Sequence, residues 1–212
     1  MKHIKIDKDP EKIFLMSDLH YQHKNILHLD NRNYKSLSEM EEKIRLELIQ
    51  TLTDDSILID LGDMFFGTRD SKFYELMSCI PCPIYKILGN HDKEAYIRKN
   101  SDLFEDISDL MILKVGSQKI TLTHYPIIDY PYMYNGGIEI FGHTHGHIDK
   151  FINSIPYLML DIGFSAGFSK KSGTFLHTLK NIYEFFDKKT GGLTYSDWAN
   201  KKYHNKDSLW NT

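Results

Sequence analysis

The chain has 212 residues, 41% of them hydrophobic, 26% charged and 13% aromatic, and a formal net charge of −3. That length fits one domain with at most a short appendage and argues against a separate substrate-capping domain, while the composition excludes general disorder. The acidic balance lacks the basic footprint of a protein that grips long nucleic acid through its phosphates, and small anionic substrates remain open.

In chain order, residues 1–10 carry no secretory apolar segment, and no run anywhere approaches the ~18 residues of a membrane span. The expected location is the cytoplasm, with no membrane partner. Residues 12–17 form an apolar run of strand length that stops at Asp18-Leu19-His20. Ser38-Glu39-Met40-Glu41 has capping-box form, and Met40, Ile44, Leu48 and Leu52 recur at helical spacing, which predicts an amphipathic helix. A second apolar run, residues 56–61, stops at Gly62-Asp63, and a helix is predicted over residues 71–78. Cys79 and Cys82 have the spacing of a redox pair but precede an apolar run and a proline, so they read as two reduced thiols in a turn. The third run, residues 84–88, stops at Gly89-Asn90-His91-Asp92.

Residues 110–115 and 118–123, parted by Gly116-Ser117, predict a hairpin whose second arm stops at His124. A loop rich in tyrosine and proline leads to a strand over 138–141, which stops at Gly142-His143-Thr144-His145-Gly146-His147. A last strand is expected over 157–162 and a last helix over 178–186. The domain is expected to span 1–187. The polar stretch 188–212 is either a frayed tail or an arm that docks by Trp198 and Trp210.

Continuous apolar strands interleaved with helices imply an α/β protein, its sheet covered on both faces and its ligands gathered at the carboxyl ends of the strands. One Asp, Asn or His at a strand end means little, since these are ordinary turn residues. Five such endings on one edge bring Asp18, His20, Asp63, Asn90, His124, His143 and His145 within reach of one point. Oxygen and imidazole donors without thiolate suit two divalent cations, Mn, Fe, Zn, Ni or Co, and a carboxylate can bridge them.

Taken together and in order, Asp18-x-His20, Gly62-Asp63, Gly89-Asn90-His91-Asp92, His124 and Gly142-His143-x-His145 resemble the blocks of the calcineurin-like metallophosphoesterases. Residues 17–26, in which His23 and Asn25-Ile26 follow the first block, are similar to the small bacterial and phage branch of that superfamily. The resemblance implies a two-sheet β-sandwich flanked by helices, in four layers. It implies that Asp18, His20 and His145 hold one metal, that Asn90, His124 and His143 hold the other, and that Asp63 bridges them. It further implies that His91 gives a proton or hydrogen bond to the phosphate, with Asp92 orienting it, and that Mn is the expected metal. The family's Ser/Thr phosphatases carry Gly-Asp-x-Val-Asp-Arg-Gly and Gly-Asn-His-Glu. This chain has Gly62-Asp63-Met64-Phe65-Phe66-Gly67 and ends its third block in Asp92, which disfavours a phosphoprotein phosphatase.

The expected activity is therefore hydrolysis of small, nucleotide-like phosphodiesters, cyclic nucleotides among them, by attack of a metal-bridging hydroxide on phosphorus. The competing readings are a nuclease or phosphomonoesterase of the same superfamily, and a noncatalytic scaffold, against which the complete ligand set argues. Candidate substrate contacts are His23, one helical turn past His20, together with Arg32 and His147; the alternatives are a solvent-facing histidine, a surface arginine and a plain loop residue. Tyr125, Tyr130, Tyr132 and Tyr134, stiffened by Pro126 and Pro131, either stack a nucleobase or pack on themselves. His3, His28, His177 and His204 match no block.

Overall fold

The computed structural model describes residues 1–204, and the alternation of side chains along its strands sets its layers. One sheet has the order β10 (His177–Thr178), β2 (Ile13–Met16), β3 (Ile57–Asp60), β4 (Ile84–Ile87), β5 (Asp106–Ser108), parallel except for β10. The other has the order β1 (Lys2–Lys5), β6 (Leu110–Val115), β7 (Gln118–Thr123), β8 (Ile138–Phe141), β9 (Met159–Asp161), and only the β6–β7 hairpin in it is antiparallel. The helices are α1 (Ile26–Leu29), α2 (Leu37–Thr51), α3 (Asp70–Met77), α4 (Glu94–Lys99), α5 (Asp149–Ser154), α6 (Gly167–Ser172), α7 (Leu179–Thr190) and α8 (Tyr195–Ala199).

Successive strand residues face opposite ways. In β2, Phe14 and Met16 join a core with Met40, Ile44 and Leu48 of α2, Phe73 and Leu76 of α3 and Ile97 of α4. Ile13 and Leu15 face the other sheet, meeting Met111, Leu113, Ile120, Leu122 and Ile140 in a second core that α7 closes with Leu179, Ile182 and Phe186. Phe141 and Met159 form a third cluster with Tyr130, Met133 and Ile152 on the outer face of the second sheet. Helices, two sheets and a helix-and-loop layer thus stack in the expected order.

The cap of α2 differs from expectation. Ser36, not Ser38, is the N-cap, its side chain accepting from Glu39 N at 3.1 Å, while Glu39 Oε2 accepts from Lys35 N at 2.6 Å. Glu41, the expected partner, is buried and turned to Gln22 instead. α7 runs on to Thr190 and α8 follows it, with Tyr195 and Trp198 packed against the inter-sheet core. Trp210 lies outside the described residues. Cys79 and Cys82 are free and buried, and burial pushes the Cys82 thiol up to about 11, away from reactivity. Among the described residues no helix is long and apolar enough to cross a membrane.

Candidate metal centre

β2, β3 and β4 of one sheet and β7 and β8 of the other all end at the same place, so the site lies across the seam of the sandwich. The chain reverses sharply there. Of the eight non-glycine residues at positive φ among the described residues, five are Asp18, His20, Asp63, His143 and His145, with φ of 58°, 53°, 56°, 67° and 50°. Such conformations are costly for residues with a Cβ and persist only where the surroundings impose them. Here Asp18 N donates to Gly62 O at 3.0 Å and His20 N to Asp63 O at 2.9 Å, which locks the first block onto the second. Glycine is required where blocks touch: a Cβ on Gly89 would lie 2.1 Å from Asp63 Oδ1, and one on Gly142 2.0 Å from Ser17 Oγ.

Two sets of donor atoms result. His20 Nε2 lies 3.9 Å from Asp18 Oδ1 and 3.8 Å from Asp63 Oδ2, and His145 Nε2 lies 3.8 Å from Asp18 Oδ1. On the other side His124 Nε2 lies 3.4 Å from Asp63 Oδ2, and Asn90 Oδ1 stands 3.0 Å from His124 Nε2 and 2.9 Å from His143 Nδ1. Asp18, His20 and His145 form one group able to hold a metal ion, and Asp18, Asp63 and His124 another.

The chemistry of the set fits cations. Asp18 Oδ1 and both ring nitrogens of His20 are buried without a hydrogen-bond partner among the described residues, an arrangement that costs about 1–3 kcal/mol per group unless something fills it. Burial pushes His20 down to about 3, leaving the neutral imidazole that a metal needs. Burial raises Asp18 above the ordinary carboxylate range. Burial acts on Asp63 in the same sense, but His124 and the His91 backbone N–H, 2.8 Å from Oδ1, hold it well below that range. His124 Nδ1 donates to Leu61 O at 2.8 Å, which turns the lone pair of Nε2 toward Asn90 and Asp63.

Two buried ionic units support these donors. Under the first and last blocks, Arg32 donates from Nη2 to Asp18 O and from Nη1 to Leu19 O, both at 2.7 Å, and from Nε to Asp30 Oδ2 at 2.8 Å. Asp30 Oδ2 in turn faces His145 Nδ1 at 3.1 Å. Under the second and third blocks, Lys86 pairs with Asp60 and, at 2.6 Å, with Asp92, whose Oδ2 accepts from Asp63 N at 3.0 Å and Gly89 N at 2.8 Å. Asp161 braces the last block, accepting from Thr144 Oγ1 at 2.5 Å and Gly146 N at 3.0 Å. Asp30, Asp60, Lys86 and Asp161 were not singled out from the sequence; Asp60 and Lys86 were visible there only as charges inside apolar strands.

Several expectations need correction. Arg32 is buried, and its donors go to the backbone and Asp30, so it is a clamp beneath the ligands and not a substrate contact. Asp92 does not orient His91: its Oδ2 holds backbone and Lys86, and its Oδ1 has no partner. His147, by contrast, is exposed with its backbone N–H donating to Thr144 O at 2.8 Å, a placement compatible with the expected substrate contact. Tyr130 is buried with its hydroxyl against Gly137, while Tyr132 lies under Lys119 and Tyr134 against Tyr203. Only Tyr125 of that loop reaches the site, its ring centroid 4.3 Å from that of His143.

His23 does face the centre, from a turn and not a helix. Its ring centroid is 5.3 Å from that of His20, and it stacks on Phe66 at 4.1 Å. His91 lies 5.2 Å from His20, centroid to centroid.

A buried carboxylate–imidazole cluster at the strand ends of a two-sheet α/β sandwich defines a metal-binding protein with the chemistry of a hydrolase. The model of the calcineurin-like phosphoesterase family matches residues 11–202, and the chain belongs to that family of metal-dependent phosphoesterases. It is similar to an uncharacterised protein of Methanocaldococcus jannaschii, 29% identical over 142 residues, which are 66% of this chain and 73% of that protein. A protein of unknown function from Aquifex aeolicus has the same fold, with a TM-score of 0.65 at 21% identity over 82% of this chain and 98% of its own. A phosphoesterase from E. coli aligns at 18% identity over 63% of this chain and 69% of its own, with a TM-score of 0.39.

Proposed function

We propose that the chain hydrolyses small phosphodiesters of nucleotide-like structure, cyclic nucleotides among them, with two divalent cations, manganese foremost. The observation that carries this reading is the position of Asp63 Oδ2, 3.8 Å from His20 Nε2 and 3.4 Å from His124 Nε2, between the two donor sets. Asp18, His20, His145 and Asp63 would hold one cation, and Asn90, His124, His143 and Asp63 the other. Divalent cations supply Lewis acidity toward phosphate oxygens and lower the pKa of water toward neutrality.

The rest falls to the chain's own side chains. Asp63 is fixed by its backbone bond to Asp92 and by the His91 N–H, so its free oxygen keeps its place without reorganisation. His91 has a ring near His20 that belongs to neither donor set, and a ring nitrogen there protonates the leaving oxygen. His23 stacked on Phe66 forms one aromatic wall and Tyr125 against His143 the other, suited to a planar base or aromatic leaving group. Arg32, the guanidinium in contact with the first block, is buried and turned to Asp30 and two carbonyls, so it adds no charge for a phosphate at the centre, which favours a singly charged diester over a doubly charged monoester.

Dialysis against a chelator, followed by assay of bis(p-nitrophenyl) phosphate and p-nitrophenyl phosphate with and without Mn, tests the reading. The expected result is no turnover without metal, recovery with Mn and a higher kcat/KM for the diester. Undiminished hydrolysis after chelation, or a preference for the monoester, contradicts it.

A further inference from the structure

Beside the centre, a cleft of about 300 Å³ is lined by Gln22, Lys24, Phe66, Gly67, Thr68 and Arg69, two cations and no acid, in a chain whose net charge is −3. Neither Lys24 nor Arg69 forms an ion pair among the described residues. The backbone N–H groups of Gly67, Thr68 and Arg69 also lack an intramolecular hydrogen bond there. Consecutive free N–H groups flanked by Lys and Arg have the chemistry that recognises phosphate oxygens.

The cleft is built, not incidental. Gln22 sits at φ 70°, unusual for a residue with a Cβ. The buried Glu41 holds it there, accepting at Oε1 from Gln22 N at 3.1 Å and Nε2 at 2.6 Å. That leaves Gln22 Oε1 to accept from Arg69 Nη1 at 3.4 Å, which sets the side of the cleft on which the guanidinium stands. Phe66 is the shared wall: its ring centroid lies 4.1 Å from His23 and 5.7 Å from His91, and both of those rings neighbour His20. A substrate whose scissile phosphorus sits at the centre therefore reaches the cleft across one aromatic ring.

We infer that this cleft is an anion subsite for a second phosphate group of the substrate, an inference that rests on the phosphoesterase reading of the neighbouring centre. The substrate class is a nucleotide ester with a further phosphate on the sugar side. That phosphate is either the terminal group of a bisphosphorylated nucleotide or the next linkage of a short oligonucleotide, and the chemistry recognised is the same.

The test compares three p-nitrophenyl esters of thymidine 5′-phosphate, bearing a 3′-hydroxyl, a 3′-phosphate or a 3′-linked second nucleotide, on the Mn-loaded chain and its Lys24→Ala/Arg69→Ala variant. The subsite predicts a KM roughly tenfold lower for the 3′-phosphate ester than for the 3′-hydroxyl ester. The variant should erase that advantage while leaving kcat and the 3′-hydroxyl ester unchanged. An equal advantage for the dinucleotide ester extends the subsite to internal linkages, and no advantage for it restricts the subsite to terminal phosphate. Equal KM for all three esters, or a variant that weakens all of them alike, overturns the inference. If no ester turns over, the phosphoesterase reading has failed, and calorimetry decides the cleft separately. Tighter binding of thymidine 3′,5′-bisphosphate than of thymidine 5′-phosphate, lost in the variant, upholds it, and equal binding removes it.

Discussion

At residue scale the proposed function divides the centre between side chains that would hold metal and one, His91, that would handle a proton. Asp63→Asn removes a negative charge from between the two donor sets and should lower metal content along with rate. His91→Ala should keep the metals while turnover falls by roughly 10²–10⁴, the range for a lost general acid. Its loss should be smaller for a p-nitrophenolate leaving group than for an alkoxide; equal loss on both would assign His91 to positioning, and metal loss would make it a ligand. Asp30 acts one step back. Its carboxylate faces His145 Nδ1 at 3.1 Å and is gripped by Arg32, so Asp30→Ala should weaken Mn binding by about 10–100-fold, measured by calorimetric titration. Unchanged affinity would reduce Asp30 to a structural partner of Arg32.

At the scale of elements, the strand ends were legible in sequence because each motif followed an apolar run, and the runs did become β2, β3, β4, β7 and β8. β1 was not, because Lys2–Lys5 is an exposed edge strand with no apolar run to mark it. Arg32 was misjudged because nothing in a lone arginine announces that two carbonyls of the first block will bend over it. The tyrosine loop, for which stacking and packing were both open, divides between them: it crosses the outer face of the second sheet, where Tyr130 packs, and Tyr125 is the ring that reaches the site. Beneath it lies Glu139, fully buried, with Oε1 accepting from Ile127 N at 2.7 Å and Oε2 without a partner. Burial pushes this carboxyl up to about 8 from the ordinary 4.5. The folded state therefore keeps a proton that the unfolded chain releases, and stability falls as pH rises from about 4.5 to about 8. Glu139→Gln should raise Tm above that of the unsubstituted chain at pH 8, with the difference shrinking toward pH 4.5 in thermal melts. A difference independent of pH would contradict the titration.

At the scale of the molecule, the two sheets meet at one set of donors, three blocks from one sheet and two from the other, so a metal held there would tie the halves of the sandwich together. Ions that bind only the folded state should raise Tm in proportion to the logarithm of their concentration above Kd, and chelation should reverse the gain in a melt followed by circular dichroism. The buried pairs Arg32–Asp30 and Lys86–Asp60–Asp92 keep the donors in place, the first meeting His145 across the seam and the second lying at the ends of β3 and β4. The central claim, a pair of cations sharing Asp63, is tested most directly by anomalous diffraction from crystals grown in excess Mn. The account predicts two peaks about 3.5–4 Å apart on either side of the Asp63 carboxylate, one among Asp18, His20 and His145 and the other among Asn90, His124 and His143. A single peak, with Asn90 and His143 turned away from it, would contradict the account.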